Sequence, residues 1–120
     1  MQERQYQAEE FRNVFQVQTN RSMQRNLIVE EYKEFLEAEE QLFDGFVVNH
    51  TECLKELADL VYVCYQYAAC MGWDLDEALD RVHKSNLTKL DKNGKPIFRA
   101  GDKKVLKGPN YQPPDLKDLV

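Results

Sequence analysis

The sequence predicts an all-α protein: a four-helix, bundle-like core over about residues 2–90, continued by an irregular, basic C-terminal arm over about 91–120. Three features predict it. Apolar side chains recur at helical spacing through the first part of the chain. Gly, Asn and Asp punctuate those runs at the places where helices start and stop. Past Leu90 the periodicity ends, and Lys, Gly and Pro take over in "DKNGKPIFRAGDKKVLKGPNYQPPDL".

The first helix is expected over about Gln2–Gln18, with Phe11, Val14 and Phe15 on one stripe at i, i+3, i+4 spacing. The second, about Ser22–Phe43, takes Leu27, Ile28, Phe35 and Leu42 as apolar anchors and stops near Gly45. The third follows the loop "DGFVVNH", with Asn49 or Thr51 as N-cap and Gly72 as its stop. In the fourth, "DLDE" places Asp74 and Glu77 at capping-box spacing, and the helix runs to about Leu90. In the arm, Asn93-Gly94 signals a tight turn, and Ile97, Phe98, Val105, Leu106 and Tyr111 are the side chains able to pin it onto the helices. A short final turn is expected over Pro114–Leu119.

Composition narrows the function classes. At 120 residues the chain is one domain's length, and 42% hydrophobic with 31% charged residues is a folding composition rather than a disordered one. The most apolar run, Leu57–Trp73, carries Asp59 and Gln66 and is shorter than the ~20 residues that span a bilayer, so no membrane partner is expected. The N-terminal "MQERQYQAEEFRNVF" is charged and lacks an apolar signal core, which points to the cytoplasm. Cys53, Cys64 and Cys70 form no C-x-x-C pair; they read as small core residues rather than a disulfide or zinc framework. The net charge of −5 hides an asymmetry: residues 1–83 hold 7 Lys+Arg against 17 Asp+Glu, whereas residues 84–107 hold 8 against 2. An acidic body with a basic segment marks an ionic partner, either a phosphorylated small molecule or nucleic acid.

The acids are concentrated in two helices. Within "VEEYKEFLEAEE", Glu30, Glu31 and Glu34 fall inside about one turn, so their carboxylates crowd one face and repel by a few tenths of a kcal/mol per pair. Glu37, Glu39 and Glu40 read as a solvated face. On the next helix Glu56 and Asp59 are three apart, and Asp59 opens the apolar run. A buried ionised carboxylate must be paired, hydrogen-bonded, neutralised or bound to metal. Lys55 and Lys33 are the nearby bases, too few for the acids around them. Two neighbouring helices, each presenting acids at i, i+3, can surround a hard cation, and Mg²⁺ suits an all-oxygen set completed by water and substrate phosphates. A di-iron reading fails, because His50 and His83 are the chain's two histidines and Asp80-x-x-His83 is a poor match to paired Glu-x-x-His motifs. No "G-x-x-x-x-G-K-[ST]" loop occurs, which argues against coupling to mechanical work.

The ordered pair Glu31-x-x-Glu34 and Glu56-x-x-Asp59, with "LIVEEYKEF" before and "ELADLVYV" after, resembles the signature of the all-α nucleoside triphosphate pyrophosphohydrolases. That superfamily includes MazG, the dimeric dUTPases, dCTP pyrophosphatase and phosphoribosyl-ATP pyrophosphohydrolase. The tail from "VHKSNLTKL" to "NYQPPDL" is similar to that of the small phosphoribosyl-ATP-pyrophosphohydrolase-like branch, although "GDKK" at 101–104 stands where many relatives read "DGK". The resemblance implies the MazG-like all-α fold and four metal ligands, Glu31, Glu34, Glu56 and Asp59. It implies that Glu30 or Glu31 orients or deprotonates the attacking water. It assigns substrate contacts to Asn86 and Lys89 within "SNLTK", and to Lys103 and Lys104. The expected reaction is Mg²⁺-dependent hydrolysis, with Mn²⁺ as a substitute, of a nucleoside or deoxynucleoside triphosphate to monophosphate and pyrophosphate. Phosphoribosyl-ATP is the alternative substrate, and a non-enzymatic module with a nucleic-acid-binding arm is the alternative of a different class. A homodimer or homotetramer is expected, with a nucleotide rather than nucleic acid as the partner.

Overall fold

The structure, a computed structural model, describes residues 3–44 and 46–120. It contains four α-helices among those residues: α1 (Glu3–Val14), α2 (Arg21–Glu40), α3 (Val47–Met71) and α4 (Leu75–Asn86). Short 3-10 turns span Gln41–Asp44, Leu87–Lys89 and Lys117–Leu119. The described residues form no β-strand, and one antiparallel bridge pairs Phe98 with Val105. The chain is all-α, as its periodicity predicts. It divides into two compact units, Met1–Asp74 and Leu75–Val120.

In the first unit α2 and α3 are the principal packing pair, and α1 lies on α3. The inward stripe of α2 runs through Gln24, Leu27, Ile28, Glu31, Phe35 and Ala38 at i, i+3/i+4 spacing, with half-buried Glu34 beside it and half-buried Leu42 in the following 3-10 turn. The deepest of these is Gln24, 2% exposed, whereas the expected anchors Leu27, Ile28, Phe35 and Leu42 are only half-buried. Polar groups share the interior throughout. Gln5 and Gln66 are buried beside Ala8, Tyr65 and Ala68, and the Gln66 amide donates to the Ala8 carbonyl at 3.2 Å, tying α3 to α1. The three cysteines are free and half-buried, and burial pushes the Cys64 thiol pKa up.

Helix ends show where local chemistry departs from expectation. Asn20 caps α2, its side chain accepting from the Met23 amide at 3.0 Å. The start of α1 at Gln2 and the stop of α2 at Gly45 lie outside the described residues. Helix α1 ends earlier than the stripe implied. Gln16 takes a left-handed φ of 53°, and the amides of Gln16 and Val17 donate to the carbonyls of Asn13 and Arg12, a Schellman closure built on Gln instead of Gly. Phe15 therefore leaves the helix, and both Val14 and Phe15 are 66% exposed, while Phe11 packs edge-on against Tyr62. Helix α3 starts at Val47, upstream of Asn49 and Thr51, so neither is its cap. Their side chains are used otherwise: the Asn49 amide donates to the Gln41 carbonyl and the Thr51 hydroxyl to the Val48 carbonyl. Gly72 does stop α3, in the left-handed conformation at φ 75°.

The second unit is α4 with the arm folded against it. Asn93-Gly94 makes the tight turn its sequence signals: Asp91 Oδ1 accepts from the Asn93 and Lys95 amides, and Asp91 and Lys95 close the turn through their backbones. The antiparallel pairing forms one turn later, around Gly101 and a left-handed Lys103. Ile97, Leu106 and Tyr111 are half-buried, but Phe98 and Val105, the two residues paired in the bridge, remain exposed. The Ser85 hydroxyl donates to the Gln112 carbonyl at 2.6 Å, and the Gln112 amide donates to Thr88 Oγ1 at 2.8 Å. Arg81 grips Asp118 with two nitrogens, at 2.6 and 3.0 Å, and donates to the Asp115 carbonyl.

Candidate metal centre

The acids of α2 and α3 meet because the inward stripe of each helix turns polar at the same level. On α2 that stripe passes through Glu31; on α3 it passes through Cys53, Glu56, Asp59 and Leu60, all half-buried. Helix α3 packs along α2, so the two polar stretches face each other. One carboxylate oxygen from each of Glu31, Glu56 and Asp59 lies within 4.8 Å of the other two.

The cluster is partly shielded from water, with the Asp59 side chain 38% exposed at its outer side. The Glu56 side chain is 14% exposed, and Oε2 of both Glu31 and Glu56 is buried with no hydrogen-bond partner. Glu34 joins from the next turn of α2, hydrogen-bonding the Glu31 carboxyl. The consequence is largest at Glu31, whose pKa is pushed up to about 7, first by desolvation, then by the hydrogen bond and charge of Glu34, then by the charges of Asp59 and Glu56. One base answers these acids in the structure: Lys55 Nζ lies 3.0 Å from Asp59 Oδ2 and 3.5 Å from Glu56 Oε1. Asp59 in turn holds the Lys55 ammonium pKa up at about 12, with help from Glu56.

The donor set fits a hard divalent cation. All donors are oxygens, two of them are buried acceptors lacking any donor, and the excess of negative charge raises a carboxyl pKa instead of being neutralised. Oxygens at adjacent positions of an octahedron around one Mg²⁺ at about 2.1 Å lie about 3 Å apart, so oxygens within 4.8 Å of one another have to close by up to about 2 Å to share the ion.

The expected site residues separate clearly. Glu31, Glu56 and Asp59 come together and Glu34 adjoins them, whereas Glu30 is exposed on the neighbouring face of α2. Asn86, Lys89, Lys103 and Lys104 all belong to the second unit. Asn86 is the exposed last residue of α4, Lys89 is half-buried in the following 3-10 turn, and Lys103 and Lys104 are exposed in the hairpin loop. Glu37 is exposed, as a solvated surface residue is expected to be, and so is Glu52, to which sequence reasoning assigned no part. Both line a cavity of about 360 Å³ with Glu34, Asn49 and Glu56. Their spacing held the signal, since Glu37 follows Glu34 by three and Glu52 precedes Glu56 by four.

Residues 1–86, which include all four clustered acids, match the family described as Phosphoribosyl-ATP pyrophosphohydrolase. The chain belongs to that family. Its all-helical fold is accordingly that of the MazG-like all-α nucleoside triphosphate pyrophosphohydrolases, and the family supports a pyrophosphohydrolase-type function. The match ends at Asn86, so Lys89, Lys103 and Lys104 lie beyond the part shared with the phosphoribosyl-ATP pyrophosphohydrolase family. A curated relative, Uncharacterized protein L479 of Acanthamoeba polyphaga mimivirus, is 29% identical over 79 residues, or 59% of this chain. The chain spans about a third of that protein's length, 32%. None of the described helices is long and apolar enough to cross a membrane.

Proposed function

We propose that the chain hydrolyses a nucleoside or deoxynucleoside triphosphate to the monophosphate and pyrophosphate, using Mg²⁺ held by Glu31, Glu34, Glu56 and Asp59. The observation that carries this reading is the convergence of three carboxylate oxygens from two helices within 4.8 Å, with two buried oxygens that have no donor. Bound there, Mg²⁺ supplies charge compensation for phosphate oxygens and acidifies water. Glu31 and Glu34 hold one side of the ligand set from α2, and Glu56 and Asp59 hold the other from α3. Glu30, exposed at the edge of that set, receives the proton of the attacking water or orients it, a task shared with Glu31. Asn86, Lys89, Lys103 and Lys104 bind substrate, the lysines offsetting phosphate charge. The reaction is placed in the cytoplasm, in a homodimer or homotetramer. Exposed Leu54, Leu57, Val61 and Tyr62 on α3 support self-association.

Phosphoribosyl-ATP is the second reading, and the family that residues 1–86 match favours it. Both substrates ask for the same bond to be broken. The test is pyrophosphate release from a panel of nucleoside and deoxynucleoside triphosphates and phosphoribosyl-ATP, with Mg²⁺ and with EDTA, using Asp59→Asn as control. Metal-dependent release lost in the variant supports the reading and ranks the substrates. Absence of release from every compound, with Mg²⁺ or Mn²⁺, would sink it and turn attention to polynucleotide binding by the arm.

A further inference from the structure

Lys55 occupies an unusual place among the carboxylates. Its ammonium sits 3.0 Å from Asp59 and 3.5 Å from Glu56, touching two of the three acids whose oxygens converge. The side chain is nonetheless 61% exposed. A cation that ligates Asp59 and Glu56 must approach the same two carboxylates. Two positive charges about 3–4 Å apart repel strongly wherever water is scarce, so ammonium and divalent cation cannot both hold this position. A lysine is well suited to give way, because its charge is a compact point on four flexible carbons and is not locked into a planar fork.

We propose that Lys55 is a resident counter-ion of the carboxylate cluster, exchanged for the divalent cation when the metal binds, so that it sets the metal affinity of the site. This rests on the metal-binding reading given above. Before exchange, Lys55 offsets part of the repulsion between Asp59 and Glu56 and holds both side chains on the face they need. On exchange, the ammonium swings to solvent and the two ion pairs are lost. Metal affinity is therefore lower than the bare carboxylates would give, and the metal-free protein is more stable than it would be without the lysine.

The test uses the full chain stripped of metal, with Mn²⁺ as the probe in isothermal titration calorimetry and thermal melting in EDTA as an independent readout. Because exposed ion pairs are weak, Lys55→Gln should bind Mn²⁺ only about three- to tenfold more tightly than wild type. The same variant should melt at a lower temperature in EDTA. Lys55→Arg, which keeps a cation there, should bind no more tightly than wild type. Lys117→Gln, which makes the same change in net charge, should leave both readouts unaltered. Equal or weaker Mn²⁺ binding by Lys55→Gln, beside a wild type that binds Mn²⁺, overturns the counter-ion role alone. A wild type that binds neither Mn²⁺ nor Mg²⁺ overturns the metal site itself, and the counter-ion role with it.

Discussion

Glu31 on α2 and Asp59 on α3 present carboxylate oxygens within 4.8 Å of each other from two different helices, on the inward stripe of each. The charge of Asp59 is one of the causes that push the Glu31 pKa up. Replacing either by its amide should remove a ligand and leave the packing in place, because Asn and Gln match the shapes of Asp and Glu. Asp59→Asn and Glu31→Gln should each lower metal-dependent pyrophosphate release by about a hundredfold or more, with far-UV circular dichroism unchanged.

The pKa of Glu31 gives the metal-free protein a distinctive pH dependence. Its ordinary value is 4.5 and its folded value is about 7. Below 4.5 the carboxyl is protonated in both the folded and unfolded states. Between 4.5 and about 7 the folded chain holds a proton that the unfolded chain has released, so stability falls as pH rises through this window and the contribution is gone above about 7. In EDTA, Glu31→Gln should therefore match wild type near pH 5 and melt higher than wild type at pH 8. A wild type at least as stable as the variant at pH 8 would count against the crowded cluster.

How much of this was readable in advance depends on which force set each feature. The helices and the paired acids were legible because both are periodic, and period 3.6 survives in sequence as spacing. Gly72 was legible as a stop, since a left-handed terminus favours glycine. The end of α1 was not, because Gln16 adopts the same conformation without the residue that advertises it. The core was misread for a related reason: Gln24 and Gln66 are among its most buried side chains, and polarity argues against burial until a partner such as the Ala8 carbonyl is visible. Lys55 stood in the sequence as a nearby base, but its reach to two acids depends on a rotamer that spacing does not encode.

The grip of Arg81 on Asp118 should be the switch for the last part of the arm. The arginine holds the Asp118 carboxyl pKa below its ordinary value of 3.8, so the tie is fully present above 3.8 and is lost as pH falls through the lowered folded value. Arg81→Ala should accelerate hydrogen exchange at residues 115–119 at neutral pH, and wild type should show the same acceleration only in strong acid.

Gly108 is held by space rather than by backbone angle. A Cβ there would sit 2.2 Å from the Leu90 carbonyl oxygen and 2.8 Å from that of Lys89, both backbone atoms that cannot turn away. Gly108→Ala should cost about 1–3 kcal/mol in thermal or urea unfolding and displace Lys89, lowering kcat/KM for the triphosphate if that lysine binds it. A variant as stable as wild type would show that the turn after α4 shifts without penalty.

The arm is fastened to α4 and the turn after it twice, by Ser85 and Thr88 at Gln112 and by Arg81 at Asp118. The stretch between Lys89 and Gln112, with most of the arm's basic residues, is thus a handle attached at both ends. A protease that nicks it once among those lysines should leave a molecule that still runs as one piece on a sizing column and separates into two only when unfolded.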